Sequence, residues 1–150
     1  MRNKEKNFIS AVVYARNAEE TIQNFIKVIN EILKEHFLHY EIIIVNDASE
    51  DKTVEKVKSC VSIMEDASLS VLNMSHYQGK ELSMNAGQDL AIGDFVYEFD
   101  STIIDYNIDV VFETYKKSLE GFDIVNVSSN SKRKLSSKIF YTVFNNNSNY

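Results

Sequence analysis

Apolar and polar positions along this chain follow two alternating patterns. Short runs rich in Val, Ile, Phe and Tyr, bounded by polar residues, are typical of buried strands. Five such runs predict strands at Phe8–Ala15, Tyr40–Val45, Leu69–Met74, Asp94–Phe99 and Asp123–Val127.

Between these runs, apolar residues recur every three or four positions, which predicts helices. The clearest stripe follows the first strand and contains Ile22, Phe25, Ile26, Ile29, Ile32 and Leu33. Asn17, with Glu20 three residues later, predicts the N-cap of this helix. Weaker stripes predict helices after the second, third and fourth strands, around residues 54–61, 82–90 and 110–114, and Gly121 is expected to end the last one.

Strand and helix therefore alternate, which predicts an α/β fold. We expect a mostly parallel, Rossmann-like sheet with helices on both faces, connected by right-handed crossovers. The 150 residues are enough for one domain with a sizeable core.

The C-terminal segment 131–150 is predicted to be a basic amphipathic tail. Residues 137–144 are predicted to form a short helix, and the preceding residues are strongly basic. The tail's apolar residues are Ile139, Phe140, Val143 and Phe144, and its basic residues are Lys132, Arg133, Lys134 and Lys138. Such a helix could make a peripheral contact with an anionic membrane through residues 132–144, or it could pack on the sheet.

Charge and cysteine content narrow the function classes. A net charge of -6 argues against binding of nucleic acid by the whole surface. The single Cys60 excludes an internal disulfide and suits a reducing compartment, so we expect a cytoplasmic protein. No run approaches the roughly 18 apolar residues of a membrane-spanning helix.

The predicted strand ends carry most of the candidate chemistry. The loops contain residues 14–17 (Tyr-Ala-Arg-Asn), Asn46–Asp47, residues 76–80 and residues 100–102 (Asp-Ser-Thr). Because these loops share one edge of a parallel sheet, we expect Asp47 and Asp100 to converge on one hollow. Carboxylates, a guanidinium, an ammonium and phenols together suit a nucleotide and a divalent metal. From local chemistry alone, Asp47 or Ser49 could instead only cap the following helix.

Four segments in order resemble family 2 glycosyltransferases. Residues 9–22 resemble the family's S-V-V-I-P-x-Y-N-E-E-x-x-I, and residues 41–53 resemble E-I-I-V-V-D-D-G-S-x-D-x-T. Residues 79–87 resemble G-K-x-x-A-x-N-x-G, and residues 91–100 resemble the A-x-G-D strand that leads to the D-x-D motif. More weakly, residues 121–125 and 137–141 look like the polyprenyl-phosphate sugar transferases within this family.

The resemblance implies a GT-A fold and an inverting transfer of sugar from a nucleotide-diphosphate sugar to an acceptor hydroxyl or phosphate. A polyprenyl phosphate or a polysaccharide is the implied acceptor, which would place the protein at the inner face of the membrane. Asp47 would accept a hydrogen bond from the base, and Asp100 would help to hold Mg²⁺ or Mn²⁺ against the diphosphate. The implied nucleotide-binding residues are Tyr14, Ala15, Arg16, Asn17, Asp47, Lys80 and Asp100, and the implied metal ligands are Asp100 and Thr102.

Several positions depart from the family pattern. Tyr14 stands where the family usually has Pro, and Arg16, which could stack on a base, stands where it has Tyr. Thr102 replaces the second D-x-D aspartate, so metal affinity should fall, although Asp105 could substitute for it. Ser129 stands where polyprenyl-type enzymes often have Arg.

No catalytic base can be assigned from the sequence, because Glu113, Glu120 and Asp123 are better explained as solvated residues. Family catalytic domains continue beyond this length, so we expect the chain to be the nucleotide-sugar-binding portion of a longer domain. Two alternatives stay open. One is a module of the same fold with a decayed site, and the other is an unrelated doubly wound domain such as a receiver.

Overall fold

The computed structural model describes residues 3–65, 67–128 and 138–143, and it contains one six-stranded sheet. The strands are β1 (Glu5–Ala15), β2 (Phe37–Asn46), β3 (Ser68–Asn73), β4 (Phe95–Phe99), β5 (Ile124–Ser128) and β6 (Lys138–Val143). Their order is β3-β2-β1-β4-β6-β5. The first four in this order are parallel, and β6 runs antiparallel to both of its neighbours. The five predicted strands are confirmed.

Among the described residues, four α-helices cover the two faces of this sheet. They are α1 (Ile22–His36), α2 (Thr53–Ser59), α3 (Lys80–Leu90) and α4 (Val110–Ser118). Helices α1, α2 and α4 share the larger apolar core with one face of the sheet. Helix α3 lies on the other face, where Met84 packs with Val12, Ile43, Val45 and Val96. The predicted mostly parallel sheet with helices on both faces is therefore confirmed.

The apolar stripe of α1 is buried as predicted, but the predicted cap is wrong. The helix begins at Ile22, after Thr21, and no side chain caps it. Asn17 instead has a left-handed backbone with φ of 47°, a conformation that Asn tolerates better than most residues. Its side-chain oxygen accepts a hydrogen bond from the Glu50 amide at 2.8 Å. Asn17 therefore joins two loops rather than starting a helix.

The predicted helix at 137–144 is also wrong, because Lys138–Val143 forms strand β6. Its backbone pairs with β4 on one side and with β5 on the other. A short apolar run cannot be assigned to helix or strand by periodicity alone. In this run, β-branched and aromatic residues and two available strand edges favour the strand. The membrane-binding helix is therefore not supported over these residues, and the remainder of the basic tail lies outside the described residues.

Helix α3 packs unusually close to the sheet at Gly87. A Cβ atom at this position would lie 2.5 Å from Val12 Cγ1 and 2.5 Å from Val45 Cγ2. Both contacts are far shorter than the 3.5–4.0 Å optimum between carbon atoms. Gly87 thus fixes the distance between α3 and the β1–β2 pair, and with it the position of the helix N-terminus at Lys80.

We expect Gly87→Ala to destabilise the fold by about 1–3 kcal/mol, because the added methyl group overpacks this contact. Helix propensity alone would predict the opposite sign, since Ala is favoured over Gly by about 1 kcal/mol. Urea denaturation measures the difference. Asp89→Ala, an exposed position on the same helix, is the matched control and should stay within about 0.5 kcal/mol of wild type. A Gly87→Ala protein as stable as wild type would contradict the close packing.

Candidate functional site

A cleft of about 370 Å³ opens at the carboxyl edge of the sheet, between the ends of β1 and β4 and the start of α3. Its walls carry both acidic and basic side chains. The lining residues are Tyr14, Arg16, Asn17, Ala18, Glu20, Thr21, Lys80, Asp100, Ser101, Thr102 and Ile103.

Most of the predicted site residues meet at this cleft. Six of them line it, namely Tyr14, Arg16, Asn17, Lys80, Asp100 and Thr102. Ala15 does not line it, because its side chain is buried in the core on the α1 face. Asp47 does not line it either. The expected convergence of Asp47 and Asp100 on one hollow is therefore not observed.

Asp47 lies fully buried behind Tyr14. Its carboxylate accepts hydrogen bonds from the Tyr14 hydroxyl at 2.9 Å, the Gln78 amide at 2.8 Å and the Gly79 amide at 3.0 Å. Burial alone would raise the pKa of this carboxyl group, but hydrogen bonds led by the one from Gln78 outweigh it, so the pKa is lowered. Asp47 is therefore an ionised anchor that ties the loop before α3 to the ends of β1 and β2.

This arrangement bears on the role that the resemblance implies for Asp47. A base could reach the carboxylate only if the contacts with Tyr14 or with the 78–79 loop opened. The contact with Tyr14 could not be anticipated from the family pattern, because Pro has no hydroxyl group. Neither Asp47 nor Ser49 caps α2, since Ser49 Oγ accepts a hydrogen bond from the Asn17 amide. Base recognition by Asp47 stays a prediction.

Arg16 is held in place by backbone oxygens and an aromatic ring. Its Nη1 donates to the carbonyl groups of Asp47 at 2.6 Å and Ala48 at 3.1 Å. Its guanidinium carbon lies 4.4 Å from the centre of the Tyr77 ring. Stacking of the planar guanidinium was expected on a base, and the structure shows it on the chain's own tyrosine. Tyr77 is 60% exposed and was not predicted as a site residue.

Lys80 and Asp100 form an ion pair across the cleft. The distance from Lys80 Nζ to Asp100 Oδ2 is 3.5 Å. The Asp100 side chain is 13% exposed, whereas that of Lys80 is 50% exposed. Lys80 is the first residue of α3, so its ammonium and the positive end of the helix dipole lie on the same side of the cleft.

Thr102 does not supply what a metal ligand requires. Its hydroxyl lies 2.6 Å from the hydroxyl of Thr21, and the residue is only 7% exposed. Asp105 is exposed and does not line the cleft. Within the described ranges there is no group of three or more His, Cys, Asp or Glu side chains that could hold a metal ion. At nucleotide sites Mg²⁺ is usually held by one or two carboxylates together with substrate phosphates. Here Asp100 is already paired with Lys80, and Thr102 has no carboxylate, so these two positions do not fit the implied Mg²⁺ or Mn²⁺.

A smaller hollow of about 280 Å³ adjoins the cleft on the α3 side of the sheet. Lys80 and Asp100 border both spaces, and Glu98 borders this one. Sequence analysis missed Glu98. The sequence could have indicated Glu98 as a site residue, because it lies two residues before Asp100 and residues i and i+2 of a strand share one face.

Comparison with known proteins places the chain in a family. The Glycosyl transferase family 2 profile matches residues 10–102, which is more than half of the chain. An uncharacterised glycosyltransferase of Synechocystis is 30% identical over 141 residues, covering 90% of this chain and 43% of the relative. A prophage bactoprenol glucosyl transferase homologue of Escherichia coli is 32% identical over 117 residues, covering 78% of this chain and 37% of the relative.

Solved structures agree on the fold. A mannosyltransferase of Pyrobaculum calidifontis, in complex with GDP-Man and Mn²⁺, superposes with a TM-score of 0.67 at 20% identity, over 86% of this chain and 36% of that one. A glucosyl-3-phosphoglycerate synthase of Mycobacterium tuberculosis, in complex with UDP, gives 0.64 at 21% identity, over 85% and 46%. The chain belongs to glycosyl transferase family 2 and has the GT-A fold. It spans less than half the length of these relatives.

Ala48 is a further departure from the family pattern, because it stands where that pattern has Gly. Its backbone is left-handed, with φ of 52°, a conformation that disfavours residues with a Cβ atom. We therefore expect Ala48→Gly to raise the free energy of unfolding by about 1 kcal/mol. Thermal denaturation measures the gain. Ala86→Gly, within α3, is the matched control and should instead lose about 0.5–1 kcal/mol.

Asp47→Asn should destabilise the fold by about 1–3 kcal/mol at neutral pH, because an amide cannot accept from all three donors. The lowered pKa of Asp47 in the folded state sets the pH dependence. Its contribution is complete above the unfolded pKa of about 3.9 and disappears as the pH falls through the folded pKa. Urea denaturation between pH 7 and pH 3 should therefore show the difference between variant and wild type narrowing in acid. Asp89→Asn is the exposed control, and a constant difference at every pH would contradict this account.

Proposed function

We propose that this chain is the nucleotide-sugar-binding portion of an inverting glycosyltransferase. Under this proposal, the protein transfers a sugar from a nucleotide-diphosphate sugar to an acceptor. The observation that carries the proposal is the meeting of three family-motif segments at one cleft, where Arg16, Lys80 and Asp100 lie together. Their loops come from three separate parts of the family match, at residues 10–102.

The chemistry of the cleft suits a nucleotide diphosphate. Sugar transfer develops negative charge on the leaving diphosphate, and fixed positive groups stabilise that charge. Lys80 and the N-terminus of α3 supply positive charge on one side of the cleft. Arg16 supplies a second positive charge to the cleft, and the Asp47 and Ala48 carbonyl groups restrict its movement. These residues can bind and orient the diphosphate.

The names of the relatives suggest the acceptor. One relative is a bactoprenol glucosyl transferase homologue, and another, 22% identical, is an undecaprenyl-phosphate 4-deoxy-4-formamido-L-arabinose transferase of Aeromonas hydrophila. We therefore propose a polyprenyl phosphate as the acceptor and the cytoplasmic face of a membrane as the location. In the part of the chain that the structure covers, no helix is long and apolar enough to span a bilayer.

The acceptor site and the general base are not assigned to this chain. Glu113 and Glu120 are exposed and form ion pairs with Lys116 and Lys117 on α4. Asp123 is exposed in the loop before β5. None of the three lines the cleft. The relatives extend beyond the region that matches this chain. We propose that the corresponding region of the complete enzyme supplies the general base.

A decayed binding module is the second candidate, and one observation favours it. The second position of the D-x-D motif is Thr102, which has no carboxylate, and its hydroxyl group is already engaged with Thr21. Such a module would still bind the donor. Donor binding without sugar transfer or donor hydrolysis by the full-length protein would identify it.

Isothermal titration with UDP-, GDP- and dTDP-sugars tests the proposed function. We expect at least one donor to bind in the presence of Mn²⁺ or of EDTA, and the matching nucleoside diphosphate to compete for the site. Arg16→Ala should weaken this binding about tenfold or more, because it removes a charged donor. Lys27→Ala, which removes an exposed cation on α1, is the control and should leave affinity unchanged. No heat with any donor under any condition would refute the proposal.

A further inference from the structure

The carboxylate of the D-x-D motif already has a cation beside it. Asp100 lies at the end of β4, and the Lys80 ammonium is 3.5 Å from its Oδ2 atom. A metal ion on Asp100 would have to displace this ammonium or sit against its positive charge. The cation beside Asp100 is therefore the ammonium group of Lys80.

The partner position in the motif is equally unsuited to a metal ion. Thr102 faces Thr21 at the start of α1, and their hydroxyl groups are hydrogen-bonded at 2.6 Å. Thr102 is nearly buried in this arrangement. A neutral hydroxyl group with an internal partner is a weaker ligand for a hard divalent cation than the carboxylate it replaces.

We propose that the Lys80 ammonium, positioned by Asp100, takes the place of a divalent metal against the donor diphosphate. This inference rests on the proposed function and specifies how the site binds its donor. Its consequence is that this chain binds nucleotide-diphosphate sugars in the absence of any metal ion.

The geometry of Lys80 allows this role. Its ammonium has three N–H donors, so it can contact Asp100 and phosphate oxygens at the same time. The side chain is half exposed, which leaves its charged end accessible from the cleft. Gly87 and the Asp47 contacts with Gln78 and Gly79 fix the N-terminus of α3. The backbone that carries Lys80 is therefore set before the donor arrives.

Affinity for UDP and GDP, measured by isothermal titration in EDTA and again in Mn²⁺, tests the inference with no need for turnover. We expect the dissociation constant of the preferred nucleotide to differ by less than about threefold between the two conditions. Lys80→Ala should weaken binding about tenfold or more in both, as expected for loss of a charged hydrogen-bond donor. Lys80→Arg, which keeps the charge, should retain most of the affinity. Lys58→Ala, an exposed lysine on α2, is the matched control and should bind as wild type does.

The outcomes separate the two proposals. Binding that requires Mn²⁺ and is indifferent to Lys80→Ala would overturn the inference and leave the proposed function standing. A complete lack of nucleotide binding in both conditions would overturn the proposed function itself. Circular dichroism of each variant excludes unfolding as the cause of lost affinity.

A variant designed to create a Mn²⁺ site provides a second measurement. Thr102→Asp restores a second carboxylate beside Asp100, and combining it with Lys80→Ala removes the competing ammonium. Electron paramagnetic resonance of Mn²⁺ should show no saturable site in the wild-type protein and a new site in the double variant. Saturable Mn²⁺ binding by the wild-type protein that Asp100→Asn abolishes would overturn the inference. Because Thr102 is nearly buried, the wild-type measurement decides the question even where the double variant fails to fold.

Discussion

The candidate site depends on one buried charge. The Asp47 carboxylate, fully removed from solvent, holds the Tyr14 hydroxyl group and two backbone amides of the loop before α3. An isolated carboxylate would be very unfavourable in this environment, and its hydrogen bonds are what make burial tolerable. Through these bonds the ends of β1 and β2 and the start of α3 become one unit. The positions of Tyr14 and of the backbone at Lys80 follow from these bonds.

The fold was largely predictable from the sequence, because its signals are local and repetitive. The stripe on α1 and the apolar run of β2 report burial directly, and the four family motifs gave the same architecture independently. Two local predictions failed for a shared reason. Asn17 and the 138–143 segment have side chains that suit more than one structure, and contacts distant in the chain decide between them. Asn17 bonds to Glu50, and β6 pairs with β4 and β5.

Most residues of the site could be predicted from the sequence, but the hydrogen bonds between them could not. Strand order and the family resemblance both bring Tyr14, Lys80 and Asp100 to one edge of the sheet. Two of the contacts that set the chemistry of the site occur at positions where this chain departs from the family pattern. Tyr14 reaches Asp47 because it has a hydroxyl group, and Thr102 reaches Thr21 for the same reason. A family pattern describes what is common to its members, so it carries no information on such pairs.

The position of β6 has a consequence for how the polypeptide reaches this structure during synthesis. Strand β5 precedes β6 in the chain but lies outside it in the sheet, at the edge farthest from β3. The parallel part, β3-β2-β1-β4, is complete in the first 99 residues, whereas β5 has no neighbouring strand until residues 138–143 leave the ribosome. Every residue that lines the cleft precedes residue 104, so the cleft and the last two strands come from separate stretches of the chain.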